Sequence, residues 1–183
     1  MLLFDDYLSL YEESKLYDKD HIATPKNIVL DIFNLINIKD YHCIWFPFDN
    51  YDSYFKLVAD EMRLNYVATH KLDSNGNDFF FTNPPLNCDL LISNPPFSIQ
   101  YDILERTFSL VDKGLIKSFV YLLPLSTLET SKRSLLYNKH IDKLKVVIFK
   151  NRIKFIGCDN CFNTACCLIC YNISSIRNTI SWI

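Results

Sequence analysis

Short apolar runs alternate with helical patterns along this chain, and few folds accept that alternation. Cys43-Ile44-Trp45-Phe46, Asn65 to Thr69, Asp89 to Ser93 and Ser118 to Leu123 read as strands. The helical patterns lie between them. Thr24-Pro25, followed by Ile28, Val29, Ile32, Phe33 and Ile36, predicts a helix capped by Thr24 with Pro25 at its first position. Residues Tyr54 to Met62 and Ile99 to Val111 carry further helical spacing, and Asp73 to Asn77 reads as a polar turn. The expected fold class is therefore α/β, with a mostly parallel sheet covered on both faces. Two more strand candidates, Leu144 to Phe149 and Phe162 to Asn172, have no convincing helix between them. They predict an antiparallel hairpin at the sheet edge.

The chain has 183 residues, which predicts a single domain over 1–183, with 1–20 as an N-terminal extension. A composition of 49% hydrophobic and 22% charged residues excludes global disorder. With 19 basic and 21 acidic residues the net charge is -2, so the whole-molecule field does not attract nucleic acid. Binding of that kind needs a local patch, for which Lys143, Lys145, Lys150, Arg152 and Lys154 are candidates; alone, such a run reads as a solvated face. No run of about 18 apolar residues occurs, and the first residues lack a basic leader pattern. A cytoplasmic location without a membrane partner is expected.

Seven cysteines then imply reduced thiols rather than disulfides. Cys158/Cys161 and Cys167/Cys170 have the internal spacing of zinc knuckles, but residues three apart on a strand face opposite sides. Buried strand thiols are the expected outcome, with no metal. The four histidines are scattered and form no metal or triad spacing.

Chemistry concentrates at Asn94-Pro95-Pro96-Phe97, which follows a buried strand and precedes a helix. In an open α/β sheet, ligands bind beyond the carboxyl ends of the strands. An exocyclic amine on an aromatic ring is a poor nucleophile, because its lone pair is delocalised into the ring. Two oxygen acceptors that grip its N–H groups favour a pyramidal nitrogen with the lone pair free. The Asn94 side chain offers one acceptor and the Pro95 carbonyl the other. The consecutive prolines fix φ and keep that carbonyl in place before substrate arrives. Phe97 offers a flat face for stacking a flipped base. Asn83-Pro84-Pro85-Leu86 repeats most of the motif, but it precedes a strand and lacks the aromatic, so it reads as a loop.

At this point the sequence resembles the class I amino-methyltransferases, in particular small phage-type DNA N6-adenine methyltransferases with an Asn-Pro-Pro-Phe motif. Thr24-Pro25 resembles the family's N-terminal cofactor-side motif, and Trp45-Phe46-Pro47-Phe48-Asp49 stands where its first cofactor motif is expected. Asp78-Phe79-Phe80 resembles the acidic-aromatic step near the cofactor's adenine. Leu122-Leu123-Pro124-Leu125 is similar to the motif closing the next strand, and Asn151-Arg152-Ile153-Lys154-Phe155 to a late motif that helps hold the flipped base.

The resemblance implies a Rossmann-like class I methyltransferase fold, S-adenosylmethionine as methyl donor, no metal and DNA as partner; at 183 residues the chain is expected to hold no separate target-recognition domain. Specificity would then come from loops, a homodimer or another chain. It assigns cofactor contacts to Thr24, Pro25, Pro47, Asp49, Asp78 and Phe79, catalysis to Asn94, Pro95, Pro96 and Phe97, and substrate contacts to Arg152, Lys154 and Phe155. The first motif departs from the family in lacking glycine, and the residues after Ala68 offer no acid before Asp73. RNA adenine or a protein glutamine amide are alternative substrates for the same chemistry. A degenerate binding module of phage origin is the non-catalytic alternative.

Overall fold

The structure, a computed structural model, describes residues 23–49, 53–70, 78–157 and 164–183. The N-terminal extension, the polar turn Asp73–Asn77, Asn50 to Asp52, Cys158, Cys161 and Phe162 lie outside the described residues. The described elements in chain order are α1 (Lys26–Leu35), β1 (Ile44–Phe46), α2 (Tyr54–Glu61), β2 (Tyr66–Ala68), β3 (Leu90–Ser93), α3 (Gln100–Asp112), β4 (Ser118–Pro124), α4 (Ser131–Lys139), β5 (Leu144–Ile148), β6 (Cys166–Tyr171) and β7 (Ile180–Trp182). The strands form one sheet in the order β2-β1-β3-β4-β6-β5-β7. β2, β1, β3 and β4 are parallel, and β6 runs antiparallel to both its neighbours. This order and these directions make a Rossmann-like α/β sheet, mostly parallel, with one antiparallel strand near an edge.

Every residue of β1, β3 and β4 is buried, which requires cover on both faces. Register shows how the cover divides. Trp45, Leu91 and Phe119 are paired across β1, β3 and β4 and so point to one face. Phe108 of α3 meets Phe119 edge-to-face at 5.2 Å, which puts α3 on that side. Ile44 and Phe46 point the other way, where Phe46 meets Phe33 of α1 at 6.4 Å and Phe55 of α2 at 5.9 Å. The α1 stripe buries Val29, Ile32 and Phe33, as its helical spacing predicts.

Two expectations need correction. Pro25, with φ −60° and ψ 146°, is itself the N-cap of α1, and no side chain caps that helix. The proline ring sets an extended backbone there, and Thr24 precedes the cap instead. The hairpin exists, since β5 and β6 are antiparallel, but it is not the edge: β6 inserts between β4 and β5, and β7 adds outside β5. Helix α4 was not legible because it buries only Tyr137 and leaves Leu135 71% exposed, so no apolar stripe marks it. No helix among the described residues is long and apolar enough to cross a membrane.

The α3 face depends on Phe108, which is buried against Phe119, His140, Tyr137 and Tyr171. Phe108→Ala is expected to lower the free energy of unfolding by about 3–5 kcal/mol in urea titrations. Leu135→Ser, at an exposed position, should stay within about 0.5 kcal/mol.

Candidate active site

After β1 the chain turns outward to β2, then returns to form β3 on the other side of β1. The strand order therefore reverses between β1 and β3, and in open α/β sheets the loops leaving the carboxyl ends at such a reversal are where ligands bind. One loop is Pro47-Phe48-Asp49; the other begins at Ser93-Asn94. The two are joined: the Ser93 hydroxyl donates to Asp49 Oδ2 at 3.1 Å. Asp49 Oδ1 accepts from the Ser53 hydroxyl. Ser53 is in turn the N-cap of α2, its Oγ accepting from the Phe55 N–H at 3.2 Å. No Lys, Arg or His among the described residues forms an ion pair with Asp49. Burial pushes its carboxyl up to about 6, against the opposing pull of the Ser53 and Ser93 hydroxyls and the Lys56 charge.

The turn Asn94-Pro95-Pro96-Phe97 is largely buried. Ser93, Pro95 and Phe97 are buried, while Asn94 and Pro96 are half-buried. Pro96 holds φ −54° and ψ 125° and opens a single 3₁₀ turn, Phe97–Ile99, that leads into α3. The Asn94 Oδ1 is shielded from solvent. Phe97 and Phe155 are brought together, as the resemblance implies, but as an edge-to-face pair with centroids 6.2 Å apart and planes at 77°. Two rings so inclined cannot flank a base from both sides. The pair forms an inclined corner rather than two parallel faces.

The residues expected to contact a cofactor divide. Ala23 pairs with Ile156 through two backbone hydrogen bonds of 3.2 and 3.0 Å, which fastens Thr24-Pro25 beside the late Arg152–Phe155 segment. Thr24 is buried, and its hydroxyl has no hydrogen-bond partner among the described residues. Pro47 is buried next to β1. Asp78 is engaged in its own turn, accepting from the Phe80 N–H at 2.8 Å. Phe79 is buried against Trp45 and Phe48, at 5.6 and 4.8 Å. At the end of β2, Thr69 takes the Trp45 indole N–H at 2.9 Å, and His70 is buried. Asp73 lies outside the described residues. Sequence reading missed Ser93, although a lone hydroxyl closing an apolar strand beside Asn94 was a visible signal.

The basic run does not form one patch. Lys143 stands before β5 and Lys150, Arg152 and Lys154 after it, so they lie toward opposite ends of that strand. Lys145 donates to the backbone carbonyls of Ile173 and Ile176. Arg152 and Lys154 are exposed and line a cleft of about 470 Å³ with Pro25, Ile28, Asp31 and Phe149. The β6 cysteines, Cys166, Cys167 and Cys170, are buried thiols whose burial raises their pKa.

No protein-family model matches the chain, and no curated protein matches it in sequence. Among solved structures it is similar to a candidate class I S-adenosylmethionine-dependent methyltransferase from Listeria monocytogenes. The identity is 14% and the TM-score 0.48, with 90% of this chain and 66% of that one covered. The chain thus spans just under two thirds of that structure's length. Strand order and register, rather than this likeness, carry the fold assignment.

The raised Asp49 pKa has a defined sign. The folded state holds this proton more tightly than the unfolded chain, so the contribution is fully present below the ordinary carboxylate value of 3.8 and is lost as pH rises through about 6. Relative to Asp49→Asn, the wild type should lose about 2–3 kcal/mol of stability between pH 4 and pH 7 in urea titrations. A difference that stays flat over that range contradicts a desolvated carboxylate.

Proposed function

We propose that the chain is an S-adenosylmethionine-dependent amino-methyltransferase acting on N6 of adenine in DNA. The observation that carries this reading is the 3.1 Å hydrogen bond from Ser93 to Asp49. It joins a buried anion on one loop to the Asn-Pro-Pro-Phe turn on the next, at the point where the strand order reverses. A desolvated carboxylate with only hydroxyl donors and no ion pair among the described residues suits an ammonium group, such as that of methionine. Thr24, whose buried hydroxyl has no partner among the described residues, and Pro25 and Pro47 would line the same side. Asp78 and Phe79 are the proposed contacts for the nucleoside end, through the edge of their turn rather than a free carboxylate.

When bound, S-adenosylmethionine supplies an electrophilic methyl group on a sulfonium. The protein's own part is to present the amine. Asn94 Oδ1 and the Pro95 carbonyl accept its two N–H bonds and direct its lone pair toward the Asp49 side. Neither oxygen is basic enough to keep a proton, so the surplus proton of the methylated nitrogen leaves to solvent. Pro96 holds the turn, and the Phe97–Phe155 corner supports one face of the base. Arg152 and Lys154 neutralise phosphates beside it. This cationic pair favours nucleic acid over a glutamine side chain.

The reading has a non-catalytic competitor, a binding module that has lost its donor site; the buried Phe79 and the turn-bound Asp78 favour it. Calorimetry with S-adenosylmethionine separates the two.

In the proposed enzyme, Asn94→Ala should cut methyl transfer to adenine-containing DNA by about 100-fold or more while donor affinity changes little. Equal activity in the variant, or no labelled N6-methyladenine from the wild type, contradicts the proposal. Donor affinity should fall as pH drops below 6, because protonated Asp49 no longer attracts a cation. Arg152→Ala and Lys154→Ala should each reduce the slope of log affinity for DNA against log salt by about 0.9.

A further inference from the structure

We propose that Cys43 and Cys88 form a paired-thiol site that closes to a disulfide on reaction with a low-molecular-weight disulfide such as oxidised glutathione. Their Sγ atoms lie 2.7 Å apart, little more than a covalent S–S bond of about 2.05 Å. Both residues are buried, at 4% and 6% exposure, and both are free thiols. Cys43 immediately precedes β1 and Cys88 stands two residues before β3, so the pair spans the amino ends of adjacent parallel strands. The active-site crevice is at the other end of the same two strands.

The backbone holds the pair in place. The Asp89 N–H donates to the Cys43 carbonyl at 3.0 Å, and the Cys43 N–H donates to Asp89 Oδ1 at 3.2 Å. The His42 N–H reaches the same carboxylate oxygen at 3.1 Å. Bond formation therefore requires only a small approach of two side-chain atoms. The β6 cysteines differ. Cys166 and Cys167 are sequential on a strand and point to opposite faces, and Cys167 and Cys170, three apart, do the same.

In the reaction, one protein thiolate attacks oxidised glutathione, forming a mixed disulfide and expelling one glutathione thiolate. The partner thiolate then attacks the protein sulfur of that mixed disulfide and expels the second. The protein gives up two protons and two electrons, and one oxidised glutathione becomes two reduced ones. Burial and the adjacent Cys43 raise the Cys88 thiol, so the exchange should accelerate with pH. The new bond closes a loop over residues 44–87, which contains Asp49, β1, α2 and β2.

The test uses the folded full chain incubated with oxidised glutathione at pH 8, acid-quenched, alkylated after denaturation and digested. The expected result is a peptide joining Cys43 to Cys88, with five alkylated cysteines in place of seven. The melting temperature should rise by roughly 5–10 °C over the reduced protein, a shift absent from Cys43→Ala and from Cys88→Ala. Seven alkylatable thiols in protein shown to be folded by circular dichroism would overturn the proposal. So would a glutathione adduct that persists at either residue, or linkage among other cysteines.

Discussion

A hydroxyl on the last residue of β3 reaches a carboxylate on the loop after β1, and the rest of the site is arranged around that contact. It exists because β1 and β3 are neighbours in the sheet though 40-odd residues apart in sequence, with β2 placed on the far side of β1. Burial of both sheet faces forces the connections over the surface and leaves the loops at the carboxyl ends as the places where polar groups can converge. Asp49 and Asn94 are there for that reason. Ser53 ties the same carboxylate to the start of α2, so the anion is anchored to two elements of the sandwich.

The carboxylate is unfavourable where it sits, which is what makes it informative. A structural Asp with an ion-pair partner would titrate low; burial instead drives this one toward neutrality at mildly acid pH. The site thus holds an ionisable oxygen pair whose charged form a cationic ligand would favour. Phe48, the residue before Asp49, packs on Phe79, which in turn meets Trp45, and Phe97 of the proline turn meets Phe155. The opposite end of the same strands has another character, with paired sulfurs and the Asp89 carboxylate capping backbone N–H groups.

Much of this was readable in the residues. Continuous apolar runs such as Ile44-Trp45-Phe46 and Leu90-Leu91-Ile92 read as strands covered on both faces, and the polar turn after Ser93 marked where the third strand ends. Three features escaped for physical reasons. The polar helix Ser131–Lys139 is started by the Thr130 hydroxyl accepting from the Arg133 N–H and lies largely on the surface, so periodicity does not reveal it. The strand Ile180–Trp182 is three residues long and half exposed. The contacts of Ser93 with Asp49 and of Cys43 with Cys88 depend on which strands are adjacent, and a local pattern carries no such information. The 77° inclination of the Phe97–Phe155 pair was not legible either, since no local pattern sets the angle between two rings distant in sequence.

The central claim is that a donor molecule binds at the β1–β3 crevice and is felt by the proline turn. Nuclear magnetic resonance of isotope-labelled protein during titration with S-adenosylmethionine tests it most directly. The expected result is a saturable shift of the Asn94 side-chain amide and of the backbone amides of Phe48, Asp49, Ser93 and Phe97, while His42 and Asp89 at the opposite strand ends remain unmoved. Spectra unchanged at millimolar donor, or shifts confined to the amino ends of the strands, would contradict it.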